Sequence, residues 1–269
     1  MKYIELNTGI NIPIIGSGTN TFGKAGGQYA GEINGDTTEL MSAIGLGYRH
    51  FDTAVGYRNE AVVGRAVRDS GIGRGEFFIT SKIPGSAEYH ADDGAVRAGV
   101  EASLKALDMD YIDLYLIHHP WDDLPGMLRM WRVLEDYVDR GVLKAIGVSN
   151  FGEEALRYFD RHARLKPAVN QVESHPGTWN EALIGLCREL KIVPQAWGPL
   201  TRVSEKAKED LSKIGSRYGK TWAQVILRYQ IERGVVVIPK SHSKERQAQN
   251  LDLFDFELKA DERESISAL

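Results

Sequence analysis

The hydrophobic period of this 269-residue chain switches repeatedly between that of a strand and that of a helix. Short runs rich in β-branched or aromatic residues occur at IPIIGSG, YRHFDT, EFFITSK, YIDLYLIH, LKAIGVS, PAVNQVE, KIVPQAW and GVVVIPK. Segments with helical spacing lie between them. Asp36-Thr-Thr-Glu39 reads as a capping box ahead of Leu40, Ala43 and Ile44, and Asn59 as a cap for Val63 and Val67. Apolar stripes follow at Val96/Val100/Leu104/Leu107, Leu128/Trp131/Leu134/Val138, Leu156/Phe159, Leu183/Leu186/Leu190 and Trp222/Val225/Ile226/Tyr229. Ser243 can cap a short last helix carrying Arg246 and Asn250.

Strands alternating with helices form βαβ units and a parallel sheet. Eight units in a chain of this length suit a (β/α)8 TIM barrel, typically about 250 residues. No Pro/Gly/Ser linker or charge block divides the chain, so residues 1–269 are expected to form a single barrel domain. The rival is a doubly wound sheet with a Gly-x-Gly-x-x-Gly first turn. Gly16-Ser-Gly18-Thr-Asn-Thr21 lacks the third glycine, and more loop follows it rather than a helix. Ahead of the first unit, Tyr3–Leu6 and Ile10–Ile12 flank Asn7-Thr8-Gly9 and read as a β-hairpin. A barrel's interior is a packed core, and this N-terminal hairpin is expected to cap its bottom.

Composition narrows the functional class. Hydrophobic residues make up 42%, charged residues 26% and the formal net charge is −4, as in an ordinary soluble enzyme with no basic surface for nucleic acid. The single cysteine, Cys187, excludes a disulfide framework and fits a reducing compartment. The N-terminus lacks the apolar stretch of a signal peptide. No apolar run approaches the ~20 residues that span a bilayer. A cytoplasmic monomer with no membrane partner is the expectation.

Polar residues stand where the strand-like runs end. Asp52 closes YRHFD, Lys82 closes FFITSK, His118 closes YIDLYLIH, and Tyr57 lies just beyond Asp52. Barrel active sites gather at the C-terminal ends of the strands, which brings these residues to one place. A tyrosine with an ordinary pKa of ~10 is a poor acid near neutral pH. An adjacent ammonium is expected to lower that value, with Asp52 holding Lys82 charged. A neutral His118 can orient a carbonyl oxygen. Such a set suits proton donation to an oxygen that is gaining negative charge. Metal chelation is not expected: adjacent strand residues such as His118 and His119 point to opposite faces, and no further ligand cluster accompanies them.

The chain resembles the aldo-keto reductase superfamily, in particular short microbial members such as the diketogluconate and aldehyde reductases. The resemblance lies in FDTAVGYRNEAVVGRAV, ITSKI, DLYLIHHP, GVLKAIGVSNF, NQVESHP, QAWGPL and IPKS, in that order, and covers nearly the whole length. It implies the barrel already argued for, no metal, and NADPH-dependent reduction of aldehydes and ketones, with NADH a weaker alternative. By this resemblance Tyr57 is the general acid, Lys82 and Asp52 tune it, and His118 orients the substrate carbonyl. Ser149, Asn150 and Gln171 hold the nicotinamide carboxamide, Trp197 stacks on its ring, and Leu200 lies near the pyrophosphate. Lys240, Ser241 and Arg246 grip the 2′-phosphate of NADP, while Gln249 and Asn250 contact adenine.

The pattern is broken at the pocket walls. The family often has tryptophan where His119 and Asn20 stand here, so both positions are more polar. Phe22, Trp121 and Phe151 are candidates to replace the lost aromatic walls, although Trp121 equally reads as surface packing. The loop GKAGGQYAGEINGD is long and Gly-rich and reads either as a substrate lid or as a passive insertion. The segment after Leu200 is short and the C-terminus stops soon after FDFELKADE, so an open site is expected. Two other functions share these features: a cofactor-binding regulatory or structural protein of the same fold with little turnover, and a lyase using Lys82 as a Schiff base.

Overall fold

The structure, a computed structural model, describes residues 2–269. Two short strands, β1 (Tyr3–Glu5) and β2 (Asn11–Pro13), form an antiparallel hairpin. The main sheet then runs in chain order through β3 (Ser17–Gly18), β4 (His50–Asp52), β5 (Phe78–Ile83), β6 (Ile112–Ile117), β7 (Leu143–Ser149), β8 (Val169–Glu173), β9 (Val193–Trp197) and β10 (Val236–Val237). Every neighbouring pair is parallel. A parallel bridge between Ile15 and Val237 joins the two edges. The Gly16 N–H donates to Val237 O (2.8 Å) and the Val237 N–H to Ile14 O (3.0 Å) across that seam. The sheet is a closed barrel, and closure removes its exposed edges.

Alternate residues of each strand serve two different cores, because side chains along a strand point to opposite faces. In β6, Leu114 and Leu116 face the barrel interior, where they join Phe78, Ala145, Val169 and Val236. Tyr115 and Ile117 face outward and join Trp131, Val100 and Phe159 of the surrounding helices. Gly147 of β7 is on the inward face. A Cβ there would lie 2.7 Å from both Leu116 Cδ2 and Val169 O, so only glycine lets the strands approach so closely. The hairpin supplies Leu6 and Ile12 to the interior cluster. Its turn is clamped by the Leu6 N–H to Ile10 O bond (2.8 Å), and Asn7 Nδ2 donates to Pro167 O (2.9 Å). The hairpin is therefore the bottom cap that the sequence predicts.

Some local expectations need correction. Asp36 accepts from the Thr38 N–H at 2.9 Å, but Glu39 does not complete a capping box; it turns to His242 instead. Asn59 sits at a helix start without capping it. Its side chain is recruited by Thr53 Oγ1, Thr19 O and Phe22 O, bonds that fix the loop after β3. The helices Ala87–His90, Glu205–Ser216 and Ala260–Ser267 were not legible as apolar stripes. Glu205–Ser216 is mostly charged, and its buried face consists of Ala207, Leu211, Ile214 and Gly215. Ser204 caps it, a signal that the segment itself carries. Ser243 caps the helix Lys244–Leu251 as expected, accepting from the Arg246 N–H. Among the described residues, no helix is long and apolar enough to cross a membrane.

Candidate active site

The inward face of each strand changes character on the way up the barrel. Two residues beyond His50 comes Asp52; two beyond Thr80 comes Lys82; two beyond Leu116 comes His118; two beyond Val169 comes Gln171. Period-two alternation thus delivers the polar residues at the strand ends into one layer above the apolar plug. Tyr57 arrives differently, on the single 3-10 turn Val55–Tyr57 after β4, and Arg58 follows with a left-handed φ of 62° that turns the chain away.

The four candidate residues meet. Lys82 Nζ lies 2.5 Å from Asp52 Oδ1, 2.9 Å from Thr53 O and 3.4 Å from the Tyr57 hydroxyl. Its side chain is fully buried. The Tyr57 and His118 rings meet edge to face at 5.5 Å. Burial acts against the Lys82 ammonium, but Asp52 and Tyr57 together outweigh it and hold its pKa above that of an ordinary lysine. Burial lifts the Asp52 carboxyl above the usual aspartate range, opposed by Lys82 and Gln171. The 2.5 Å contact is that of an ion pair. For Tyr57 the expectation needs correcting. Lys82 does pull its pKa down, but burial is the larger effect and leaves the phenol above its ordinary value. At neutral pH Tyr57 is therefore protonated, and Lys82 stabilises the phenolate only as it forms. Burial, Lys82 and His119 push His118 down to about 2, so its imidazole is neutral.

A cavity of ≈ 460 Å³ opens above this group. Asp52, Tyr57, His118, Ser149, Asn150, Gln171, Trp197, Leu200 and Lys240 all line it, as do Asn20 and His119. Trp197 Nε1 donates to Asn150 Oδ1 (2.8 Å). An indole N–H can only donate, so the amide orientation of Asn150 is fixed. Its Nδ2 then donates to His118 O (3.2 Å) and to His119 Nδ1 (3.1 Å). His119 Nδ1 is thereby an acceptor, and the neutral ring carries its proton on Nε2. The ring stacks on His118 at 4.5 Å, so the two histidines share the cavity rather than pointing to opposite faces as the strand pattern predicts, because both lie beyond the end of β6 at Ile117. Asn20 Oδ1 accepts from Lys240 Nζ at 3.0 Å, and Thr21 Oγ1 accepts from it at 2.8 Å.

The remaining candidates divide. Ser241, Arg246 and Gln249 are not among the residues that line the cavity; Ser241 precedes the helix Lys244–Leu251, and Arg246 and Gln249 lie on it. Arg246 is exposed. Asn250 is buried beside the Tyr48 hydroxyl, turned into the fold. Phe22 is not a pocket wall: it is fully buried, packed in the outer core with its ring edge against His242 at 5.2 Å. Phe151 is likewise core, against Phe159, and Trp121 stacks on His90 at 4.1 Å.

An aromatic ring that sequence reasoning missed does approach. Tyr29, in the long loop after β3, meets the Tyr57 ring edge to face at 6.1 Å. The loop is tied down: Lys24 Nζ donates to Tyr29 O (2.7 Å), and Arg58 reaches Tyr29 O and Gly31 O (both 3.3 Å). Gln195, at the centre of β9, was also missed. It is fully buried and bonded to Gln171. A glutamine at an inward position of an otherwise apolar run was the available signal.

The buried Asp52, Lys82 and Tyr57 and the neutral His118 thus meet at the C-terminal mouth of the barrel. The sequence model of the Aldo/keto reductase family fits residues 14–269. The chain belongs to that family. It is similar to the glyoxal reductase of Bacillus subtilis, 40% identical over 268 residues that span 99% of this chain and 92% of the relative. It is also similar to 2,5-diketo-D-gluconic acid reductase B of a Corynebacterium, 41% identical over 264 residues spanning 96% and 94%. Among solved structures, an aldo/keto reductase from Brucella melitensis superposes with a TM-score of 0.89 at 34% identity, covering 99% of this chain and 98% of the other. A Bombyx mori aldo-keto reductase in complex with NADP superposes with a TM-score of 0.87 at 33% identity, covering 98% and 91%. This aldo/keto reductase is accordingly an oxidoreductase acting on carbonyl compounds, built on the family's (β/α)8 fold.

Proposed function

We propose that this aldo/keto reductase uses NADPH to reduce short, oxygen-rich aldehydes and ketones, with Tyr57 as the general acid. The observation that carries the reading is the Lys82 ammonium 3.4 Å from the Tyr57 hydroxyl at the floor of the cavity. Reduction adds a hydride to the carbonyl carbon and a proton to its oxygen. When bound, the dihydronicotinamide supplies the hydride. Tyr57 gives up its proton to the oxygen as charge develops there, and Lys82 stabilises the phenolate left behind. Asp52 holds Lys82 in place and charged. His118, neutral throughout the working range, orients the oxygen without competing as an acid.

The site's chemistry fits the cofactor. Gln171 Oε1 is an uncommitted acceptor in a residue that lines the cavity, suited to a carboxamide N–H. Trp197 offers a flat stacking face. Arg246, Ser241 and the start of the helix Lys244–Leu251 provide the cation, hydroxyl and helix N-terminus that a ribose phosphate requires. Two of the relatives named above are reductases of dicarbonyl compounds, and the polar walls at Asn20, His119 and Asn150 suit substrates with a second oxygen. Among the described residues the exposed large hydrophobics, Tyr3, Tyr29, Ile33 and Met41, are few, which supports a monomer. The free, buried Cys187 is in keeping with a reducing cytoplasm.

The test is Tyr57→Phe against a panel of aldehydes, ketones and dicarbonyls. Turnover is expected to vanish while NADPH still quenches tryptophan fluorescence with nearly wild-type affinity. Retained turnover would sink the assignment of Tyr57.

A further inference from the structure

We propose that Gln195 is a positioning residue that accepts the second N–H of Gln171 and so holds in place the amide whose orientation Asp52 selects. Gln171 Nε2 lies 2.7 Å from Asp52 Oδ2 and 3.1 Å from Gln195 Oε1, with all three side chains buried. Asp52 and Gln171 stand on β4 and β8, opposite walls of the eight-stranded barrel. An ionised carboxylate only accepts, so the Gln171 group facing Asp52 must be its NH2. Gln195 Oε1 takes the other N–H. With both hydrogens committed, Gln171 Oε1 is left for the cavity that Gln171 lines.

Gln195 bears a cost for this arrangement. Its own Nε2 is buried without a partner. Turning the amide over would not relieve the site, because it would set the Gln195 NH2 against the Gln171 NH2. A side chain there merely to fill space would be apolar, since a buried unpaired N–H is destabilising. The unsatisfied N–H is thus the consequence of presenting an acceptor to Gln171. The result is one chain of contacts from Gln195 through Gln171 to Asp52, Lys82 and Tyr57. Gln171 joins the acid relay to the place where a nicotinamide carboxamide would bind. This inference rests on the cofactor reading above, and it assigns a role to a residue that touches neither cofactor nor substrate.

The test compares NADP with its 3-acetylpyridine analogue, in which a methyl group replaces the carboxamide NH2. Dissociation constants are read from fluorescence quenching, without turnover. The wild type is expected to favour NADP by roughly three- to tenfold, the worth of one hydrogen bond. Gln195→Met, which keeps length and bulk but removes the acceptor, should lower that ratio, because Asp52 alone then holds the amide. Gln195→Leu is a second acceptor-removing variant should the first fail to fold. Gln195→Glu retains an acceptor and should retain the discrimination, even with a lower melting temperature. A folded Met or Leu variant with the wild-type ratio overturns the proposal, as does a Glu variant that loses the ratio equally. A wild-type chain that bound neither dinucleotide would instead overturn the cofactor reading, and this proposal with it.

Discussion

Replacing Lys82 by methionine isolates the electrostatic part of the proposed acid. The substitution keeps the length of the side chain and removes its charge. With Nζ 3.4 Å from the Tyr57 oxygen and an effective dielectric near 20, the attraction to a full phenolate is about 5 kcal/mol. If about half that charge has formed at the transition state, the loss is ~2.5 kcal/mol, or roughly 70-fold in kcat. There is a second consequence. Asp52 is almost wholly buried and would keep only its Gln171 hydrogen bond, so Lys82→Met leaves a carboxylate without its counter-charge. Breaking a buried pair in this way costs about 3–5 kcal/mol of stability. The double variant Asp52→Asn/Lys82→Met removes both charges and should recover much of the melting temperature without recovering the rate. The assay is steady-state NADPH oxidation at saturating cofactor, with thermal melts of each variant and cofactor binding followed by fluorescence. The reasoning fails if Lys82→Met turns over within about threefold of wild type, or if the double variant regains activity along with stability.

Three further outcomes follow from the same geometry. Arg246→Ala should weaken NADPH binding by about tenfold or more while changing NADH little, because the side chain is proposed to meet only the 2′-phosphate; equal losses in titrations of the two cofactors would contradict that. His119→Phe keeps the stack on His118 but removes the Nε2 donor, so kcat/KM for dicarbonyls should fall about three- to tenfold relative to simple aldehydes; a uniform change across the panel would leave His119 without a role in selectivity. His50 is fully buried, and burial pushes its pKa down to about 3 from the ordinary value of 6.5. A group whose folded-state pKa is depressed contributes stability that is complete above its unfolded value and is lost as pH falls. Denaturant titrations should therefore show stability dropping from pH 6.5 toward 3, and His50→Leu should flatten that limb; an unchanged slope would show that other groups govern it.

How much of this was readable in the chain depends on whether the information was local. Strand-end placement of Asp52, Lys82 and His118 follows from a period of two, which the sequence displays openly, and parallel neighbours then force convergence. The hairpin cap was equally local, because Asn7-Thr8-Gly9 and its apolar flanks specify it. The sign of the Tyr57 shift was not readable. It is the difference between burial and the Lys82 field, and only the closed barrel sets their relative size. The pocket walls were misread for a related reason. Phe22 and Phe151 have the right chemistry for a wall, but the hydrophobic effect rewards burying a phenylalanine wherever a core is within reach, and the outer core is. Tyr29 carries a hydroxyl that bonds Gly56 O at 3.3 Å, so it can stay half in water at the rim and still meet Tyr57. Asn20 and His119 looked like losses of aromatic surface. In the fold each is half of a polar pairing, Asn20 with Lys240 and His119 with Asn150. Those pairings span 220 and 31 residues, a separation across which no local pattern can be read. These two polar wall residues are hydrogen-bonded to residues proposed to hold the cofactor, so substrate selectivity and cofactor affinity in this reductase should change together when either wall is altered.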